Sequence, residues 1–227
     1  MESVFASRDE ASRAAAKFIA GRLRDRLAAE GDAAIVVSGG STPVRCFEQL
    51  SNAELEWSRI RVVLSDERWL PPAHPDSNER LIRAHLLRGR AAAASLLPVF
   101  AGGSSPAERC TELDAAWSVL PHPFACTLLG MGSDGHFASL FPDADNLALG
   151  LDPASGRSFL PVTTAASPHA RITMTLPALL STNAVLLLIF GNDKREVCAS
   201  AAAGDDSLPA AALFAQRQTP VHVYWAE

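Results

Sequence analysis

The 227-residue sequence has no block of basic residues, no Cys-x-x-Cys pair and no long apolar run. Each absence removes a class of function. The net charge is −5 and both signs are spread along the chain, so the basic patch that marks a nucleic-acid-binding protein is missing. The longest strongly apolar run, AVLLLIFG at 184–191, is far shorter than the roughly 20 residues needed to cross a bilayer. Cys46, Cys110, Cys126 and Cys198 are scattered, which supports neither a zinc site nor a disulfide framework. The expectation is a cytoplasmic protein with no metal and no nucleic-acid or membrane partner. The N-terminal segment has the Arg, Ser and Ala of a transit peptide, but Glu2, Asp9 and Glu10 oppose that reading, and a signal peptide's apolar centre is missing. Ser7-x-x-Glu10 reads instead as a capping box. Ala15, Phe18, Ile19, Leu23 and Leu27 then recur at helical spacing, which predicts a helix over 8–29.

Apolar residues make up 48% of the chain and charged ones 20%, the balance of an ordinary globular protein with a substantial core. Strands are expected at 34–39, 60–66, 125–130, 171–176, 185–190 and 221–226. Several are apolar at consecutive positions, as strands covered on both faces are. Helical stretches lie between them near 8–29, 43–52, 77–88, 106–119, 177–181 and 193–203. This alternation predicts an α/β fold with a mainly parallel sheet. No internal repeat or linker is visible, so residues 1–227 are expected to form one domain. FAGGSSPAER at 100–109 reads as a loop, the alanines at 91–94 as a helix end, and a small accessory β region is expected around 142–175. In such folds ligands gather at the carboxyl ends of the strands, near a switch in strand order.

After the first of these strands comes SGGSTP at 38–43. Gly39 and Gly40 permit a tight turn, Thr42 suits an N-cap and Pro43 a first helical position. The N–H groups gathered there suit a phosphate, although a capped glycine turn with no ligand has the same sequence. It is not a P-loop, because the Gly-Lys-Ser/Thr ending is missing. After the second strand, Asp66, Glu67 and Arg68 crowd three charges together, either as a cleft or as a pair that fastens the loop. A proline-stiffened wall or lid follows, with Asp76 or Ser77 capping the next helix.

The stretch LLGMGSDGHFASLFP at 128–142 contains Gly130-x-Gly132-x-x-Gly135, the spacing of a dinucleotide loop. It lies past the middle of the chain rather than in the first βαβ unit. Pro142 follows only seven residues after Gly135, and no acidic residue closes a second strand downstream. Nor is it a serine nucleophile elbow, because Met131 stands where glycine is required before Ser133. What remains is a small-residue loop presenting Asp134 and His136, a carboxylate that can orient a general base. Late in the chain, Asn192 or Asp193 is expected to cap a helix, with Glu196 completing a D-x-x-E box. That puts Lys194 in the first turn, where the helix dipole disfavours a cation unless an anion joins it.

Taken in order, SGGSTP, SDERWLPPAHPDSN, GMGSDGHFASLFP, RITMTLP and GNDKREV resemble the 6-phosphogluconolactonases, and they span nearly the whole chain. The resemblance implies a modified Rossmann-like three-layer α/β fold. It also implies hydrolysis of a phosphosugar lactone without metal or organic cofactor. It assigns the phosphate to Gly39, Gly40, Ser41, Thr42, Arg171 and Lys194. His136 becomes the general base with Asp134 orienting it, Asp66 and Arg68 position the sugar hydroxyls or the carbonyl, and Asn78 holds the loop. Phe137 departs from the threonine common in these enzymes and is expected to alter the pocket wall. The related amino-sugar-phosphate deaminases carry a Glu in the run after Asp-Gly-His and an Asp-Glu-Tyr. Here those places read GHFASLFP and Asp66-Glu67-Arg68, which favours the lactonase. A sugar-phosphate sensor would be expected to add a DNA-binding module, for which this length leaves no room. A monomer or weak homodimer is expected.

Overall fold

A computed structural model of the chain describes residues 1–103 and 105–227. The strands are β1 (Glu2–Val4), β2 (Ala33–Val37), β3 (Ile60–Leu64), β4 (Asp66–Arg68), β5 (Ser95–Leu96), β6 (Cys126–Leu129), β7 (Phe159–Val162), β8 (Arg171–Met174), β9 (Val185–Phe190) and β10 (Val221–Ala226). The helices are α1 (Arg8–Glu30), α2 (Val44–Leu50), α3 (Asn78–His85), α4 (Pro106–Ser118), α5 (Leu147–Leu151), α6 (Leu176–Leu180), α7 (Asn192–Ala202) and α8 (Ala210–Ala215). Seven strands form a parallel sheet in the order β1-β10-β9-β6-β2-β3-β5, flanked by helices. This is the expected α/β fold. All five residues of β2, Ala-Ala-Ile-Val-Val, are fully buried, so its unbroken apolar run is a strand covered on both faces. Burying each larger aliphatic chain there contributes about 1.5–3 kcal/mol.

The chain leaves β2 for β3 and β5 on one side and returns to β6 on the other. The switch in strand order therefore falls between β2 and β6, and the loops after β2, β3, β6 and β9 open beside it.

Where the chain departs from expectation, the causes are local. The strand expected over 60–66 ends at Leu64, and Asp66–Arg68 swings out as β4 to pair antiparallel with β8. RITM is therefore a strand, but of a separate sheet ordered β4-β8-β7. The accessory region expected around 142–175 draws its third strand from residues 66–68. Pro161 obscures β7 in the sequence; it is tolerated because β7 lies at that sheet's edge. At α1, Ser7 Oγ accepts the Glu10 N–H at 3.2 Å, but the Glu10 carboxylate accepts from Ala6 N–H rather than from Ser7, so only half the capping box forms. A complete box occurs at Ser105 and Glu108. Of the loop expected at 100–109, Pro106 already begins α4 and Ser104 lies outside the described residues. The alanines at 91–94 form the end and C-cap of a 3-10 turn over Gly89–Ala93 rather than ending an α-helix. All four cysteines are free and buried, and burial pushes the Cys110 and Cys126 thiols up to about 12.

Glu67 ties β4 to α3. It is 1% exposed and accepts four hydrogen bonds, from the Arg68, Asn78 and Glu79 N–H groups and from Ser77 Oγ, at 2.7–3.0 Å. Burial pushes its carboxyl up, and those same bonds pull it back. Glu67 is thus the residue of the Asp-Glu-Arg trio that fastens the loop, with Ser77 as the side-chain cap of α3. Replacing it with alanine strands four donors. We expect Glu67→Ala to cost about 3 kcal/mol or more in urea unfolding, against about 1 kcal/mol for the exposed cap variant Ser7→Ala. Similar costs for the two would remove Glu67 from this role.

Candidate active site

One cavity of about 390 Å³ opens at the carboxyl edge of the sheet, where the strand order switches. Each wall comes from a different strand end. Ser38–Thr42 follow β2, Asp66 and Arg68 follow β3, Gly130–Gly132 and His136 follow β6, and Lys194 follows β9. Asn78 from α3 and Arg171 from β8 complete it. All the predicted site residues except Asp134 line this cavity, and Asp134 is bonded to one that does.

The glycine spacing at 130–135 serves His136. Its Nδ1 lies 2.6 Å from Asp134 Oδ1, and the same oxygen accepts the His136 backbone N–H at 3.2 Å. An ionised carboxylate only accepts, so Nδ1 carries the proton and a neutral ring presents a bare Nε2 lone pair. The side chain is 28% exposed, enough for solvent to reach it. A Cβ at residue 132 would fall 2.3 Å from His136 Nδ1 and 2.4 Å from Asp134 Oδ1, so only glycine leaves room for the pair. Gly135 turns with φ +77°, and a Cβ there would meet Leu208 at 2.9 Å. Its carbonyl accepts the Ala210 N–H at 3.0 Å, which pins the loop to the start of α8. The glycines of this motif therefore make room for a His–Asp pair.

Three cations reach the cavity. Arg68 and Arg171 stand directly opposite each other in the β4–β8 ladder. Like charges so placed repel. Asp66, almost fully buried and itself in β4, accepts Arg171 Nη1 at 3.3 Å, Ser139 Oγ at 2.6 Å and Ser65 Oγ at 2.9 Å. Burial pulls the Arg171 guanidinium down, Asp66 opposes that, and Arg68 adds to it. Arg171 also donates from Nε to Ser167 Oγ and lies over the Phe141 ring, 5.2 Å from its centroid. Its Nη2 has no partner among the described residues. Arg68 Nη1 is held by Asn78 Oδ1 at 2.7 Å and by the Asp76 carbonyl at 2.9 Å. Lys194 makes no ion pair among the described residues. With Asp66 the only acid in the lining, the cavity is cationic in a protein of net charge −5.

Several local expectations need correction. Thr42 does not cap α2. Pro43 is the N-cap without a side-chain bond, because Gly40 (φ +84°) and a Ser41–Val44 turn already bend the chain, and Thr42 faces the cavity. Neither Asn192 nor Asp193 caps α7. Gly191 does, at φ +91°, where its N–H donates to the Ala226 carbonyl and Trp225 Nε1 donates to its own carbonyl. Lys194 does sit in the first turn. Asn78 spends its amide on Arg68 and the Asp66 carbonyl, and a Cβ on Gly39 would collide with it at 2.0 Å. Phe137 is 1% exposed, in the core and away from the cavity, so it does not form the pocket wall. Ala138, with φ +49°, lines the cavity in its place. The sequence reading missed Ser139 and Phe141. Both lie in the motif already singled out, but nothing in their spacing marks a serine bonded to Asp66 or a ring under Arg171.

Residues 6–225 match the family of glucosamine-6-phosphate isomerases/6-phosphogluconolactonase. The 6-phosphogluconolactonase of Pseudomonas aeruginosa is 41% identical over 224 residues, covering 98% of this chain and 93% of its own. That of Mesorhizobium japonicum is 42% identical over 212 residues, covering 92% and 89%. The crystal structure of a 6-phosphogluconolactonase from Shewanella baltica superposes with a TM-score of 0.96 at 34% identity, over 100% of this chain and 97% of that one.

The space at residue 132 is a direct handle on the His–Asp pair. Gly132→Ala should break the Nδ1–H bond to Asp134 and abolish its downfield proton resonance in water, while the protein stays folded. A folded variant that keeps this resonance would show that the loop does not depend on glycine there.

Proposed function

The chain belongs to the glucosamine-6-phosphate isomerase/6-phosphogluconolactonase family, and from that membership and the cationic cavity we infer that it hydrolyses 6-phospho-D-glucono-1,5-lactone to 6-phosphogluconate, a step of the oxidative pentose phosphate pathway. The observation that carries the mechanism is the His136 Nδ1–Asp134 pair, which leaves Nε2 as a base beside three cations. We propose that the phosphate binds Lys194, the unpartnered Nη2 of Arg171 and the Gly39–Thr42 loop. Among the described residues no helix is long and apolar enough to cross a membrane. We further propose that residues 1–227 act as one cytoplasmic domain, monomeric or weakly dimeric.

In this reading His136 Nε2 takes a proton from water as its oxygen attacks C1. Asp134 supports the imidazolium that forms. The charge that develops on the carbonyl oxygen is met by Arg68, held in place by Asn78 and Asp76. When the C1–ring-oxygen bond breaks, His136 returns the proton to the leaving oxygen. Atoms balance with water alone, so no cofactor is required. A lactone is an activated ester, and one oriented base with fixed cations supplies what its hydrolysis needs. Asp66 accepts from three protein donors and so holds Arg171, while its place in the cavity lining leaves it within reach of the sugar.

His136→Ala should lower kcat by about 10²–10⁴-fold once spontaneous hydrolysis is subtracted. Near-normal turnover would remove His136 as the base. Lys194→Ala should raise KM about tenfold with little change in kcat, because the phosphate is bound alike in ground and transition states. An unchanged KM would put the phosphate elsewhere. No ammonia should be released from glucosamine 6-phosphate; its release would favour the deaminase branch of the family.

A further inference from the structure

Among the described residues, Phe141 is the one phenylalanine, tyrosine or tryptophan ring in the cavity lining, and it touches both halves of the chemistry proposed above. The His136 imidazole lies over it with ring centroids 4.1 Å apart and planes 32° from parallel. The Arg171 guanidinium carbon lies 5.2 Å from the same centroid. Phe141 is 4% exposed, so its own position is fixed by packing. Among the described residues the His136 ring has one hydrogen-bonded anchor, Asp134, itself substantially exposed. A single bond at Nδ1 leaves the ring free to pivot about it, and a stacked neighbour removes that freedom. Arg171 is anchored at Nε and Nη1 but not at Nη2, and a ring face beneath a guanidinium fixes its plane.

We propose that Phe141 is a positioning residue shared by the base and the anion-binding arginine. It stacks the His136 imidazole so that Nε2 faces the attacking water, and it holds the Arg171 plane so that Nη2 faces the phosphate. Its quadrupole also favours the cationic form of His136 that arises when the water is deprotonated, because a ring face attracts positive charge. One side chain therefore acts on kcat through His136 and on KM through Arg171. This assignment rests on His136 being the base, but the stacking itself can be read without turnover.

Two measurements test it. In the wild-type protein, the His136 ring protons should resonate upfield of ordinary histidine positions because they lie over Phe141. In Phe141→Leu they should return to ordinary positions, kcat should fall and KM rise by roughly three- to tenfold each, and Phe141→Tyr should recover most of both. The core variant Phe137→Leu should lower stability while leaving kcat, KM and the His136 resonances unchanged. Ordinary His136 shifts in the wild type would overturn the proposal even if Phe141→Leu failed to fold. So would a folded Phe141→Leu protein with wild-type kcat and KM. If His136→Ala kept its turnover while the ring-current shift was present, the base assignment would fail and the stacking would stand.

Discussion

Arg68 and Arg171 oppose each other across two short antiparallel strands, and much of the surrounding structure answers that repulsion. Asp66 lies on the same strand as Arg68, two residues earlier, so it shares a sheet face with both guanidinium groups. Its carboxylate neutralises one charge of the two. Removing one partner of such a buried pair typically costs about 3–5 kcal/mol, so Asp66 and Arg171 are committed to each other. Ser139 bonds to both, and its N–H is held by Thr173 Oγ1. The His136 loop is thereby attached to the accessory sheet through the same charge cluster. The alternation of alternate faces along β4 also separates the roles of adjacent residues: Asp66 and Arg68 turn toward the cavity, while Glu67 turns away to hold α3.

The glycines divide labour in a similar way. Gly39 lets Asn78 approach closely enough to hold Arg68, so the Gly39–Thr42 loop and the arginine loop are fitted to one another. Gly132 leaves the space that His136 and Asp134 fill, and Gly135 supplies a positive φ against Leu208. A lone G-x-G-x-x-G pattern is compatible with a nucleotide only when a long helix follows it. In this chain Pro142 and the turns before it turn the motif back onto the core.

The main sheet was legible because strands covered on both faces must be apolar at consecutive positions, as β2 and β9 are. The short strands were not. β5 has two residues, β1 has three, and β7 contains Pro161, so none carries a periodic pattern. The residues that line the candidate site were legible as types placed after strands, because the carboxyl edge gathers them into one cavity. Their partners were not, because Asp66 meets Ser139 and Arg171 across 73 and 105 residues of chain. The expected caps at Thr42 and Asn192 failed for a common reason. A glycine with positive φ, Gly40 or Gly191, sets the entry to each helix, and side chains suited to capping are left for other uses.

These local failures coincide with the cavity, and that coincidence is itself informative. Lys194 sits in the first turn of α7, where the dipole opposes it by a few tenths of a kcal/mol or more, with no acidic partner among the described residues. Arg171 is partly buried beside another arginine, and its Nη2 has no partner among the described residues. Ala138 holds a positive φ without being glycine. Each costs stability, and a folded chain accumulates such costs chiefly where function requires them. A dianionic phosphate entering between Lys194 and Arg171 would relieve two of them together: the unmatched helix end and the crowded arginines. In the proposed phosphate site, binding energy would be drawn from the repulsion among these cations, which would let an acidic protein hold an anion with so few positive charges.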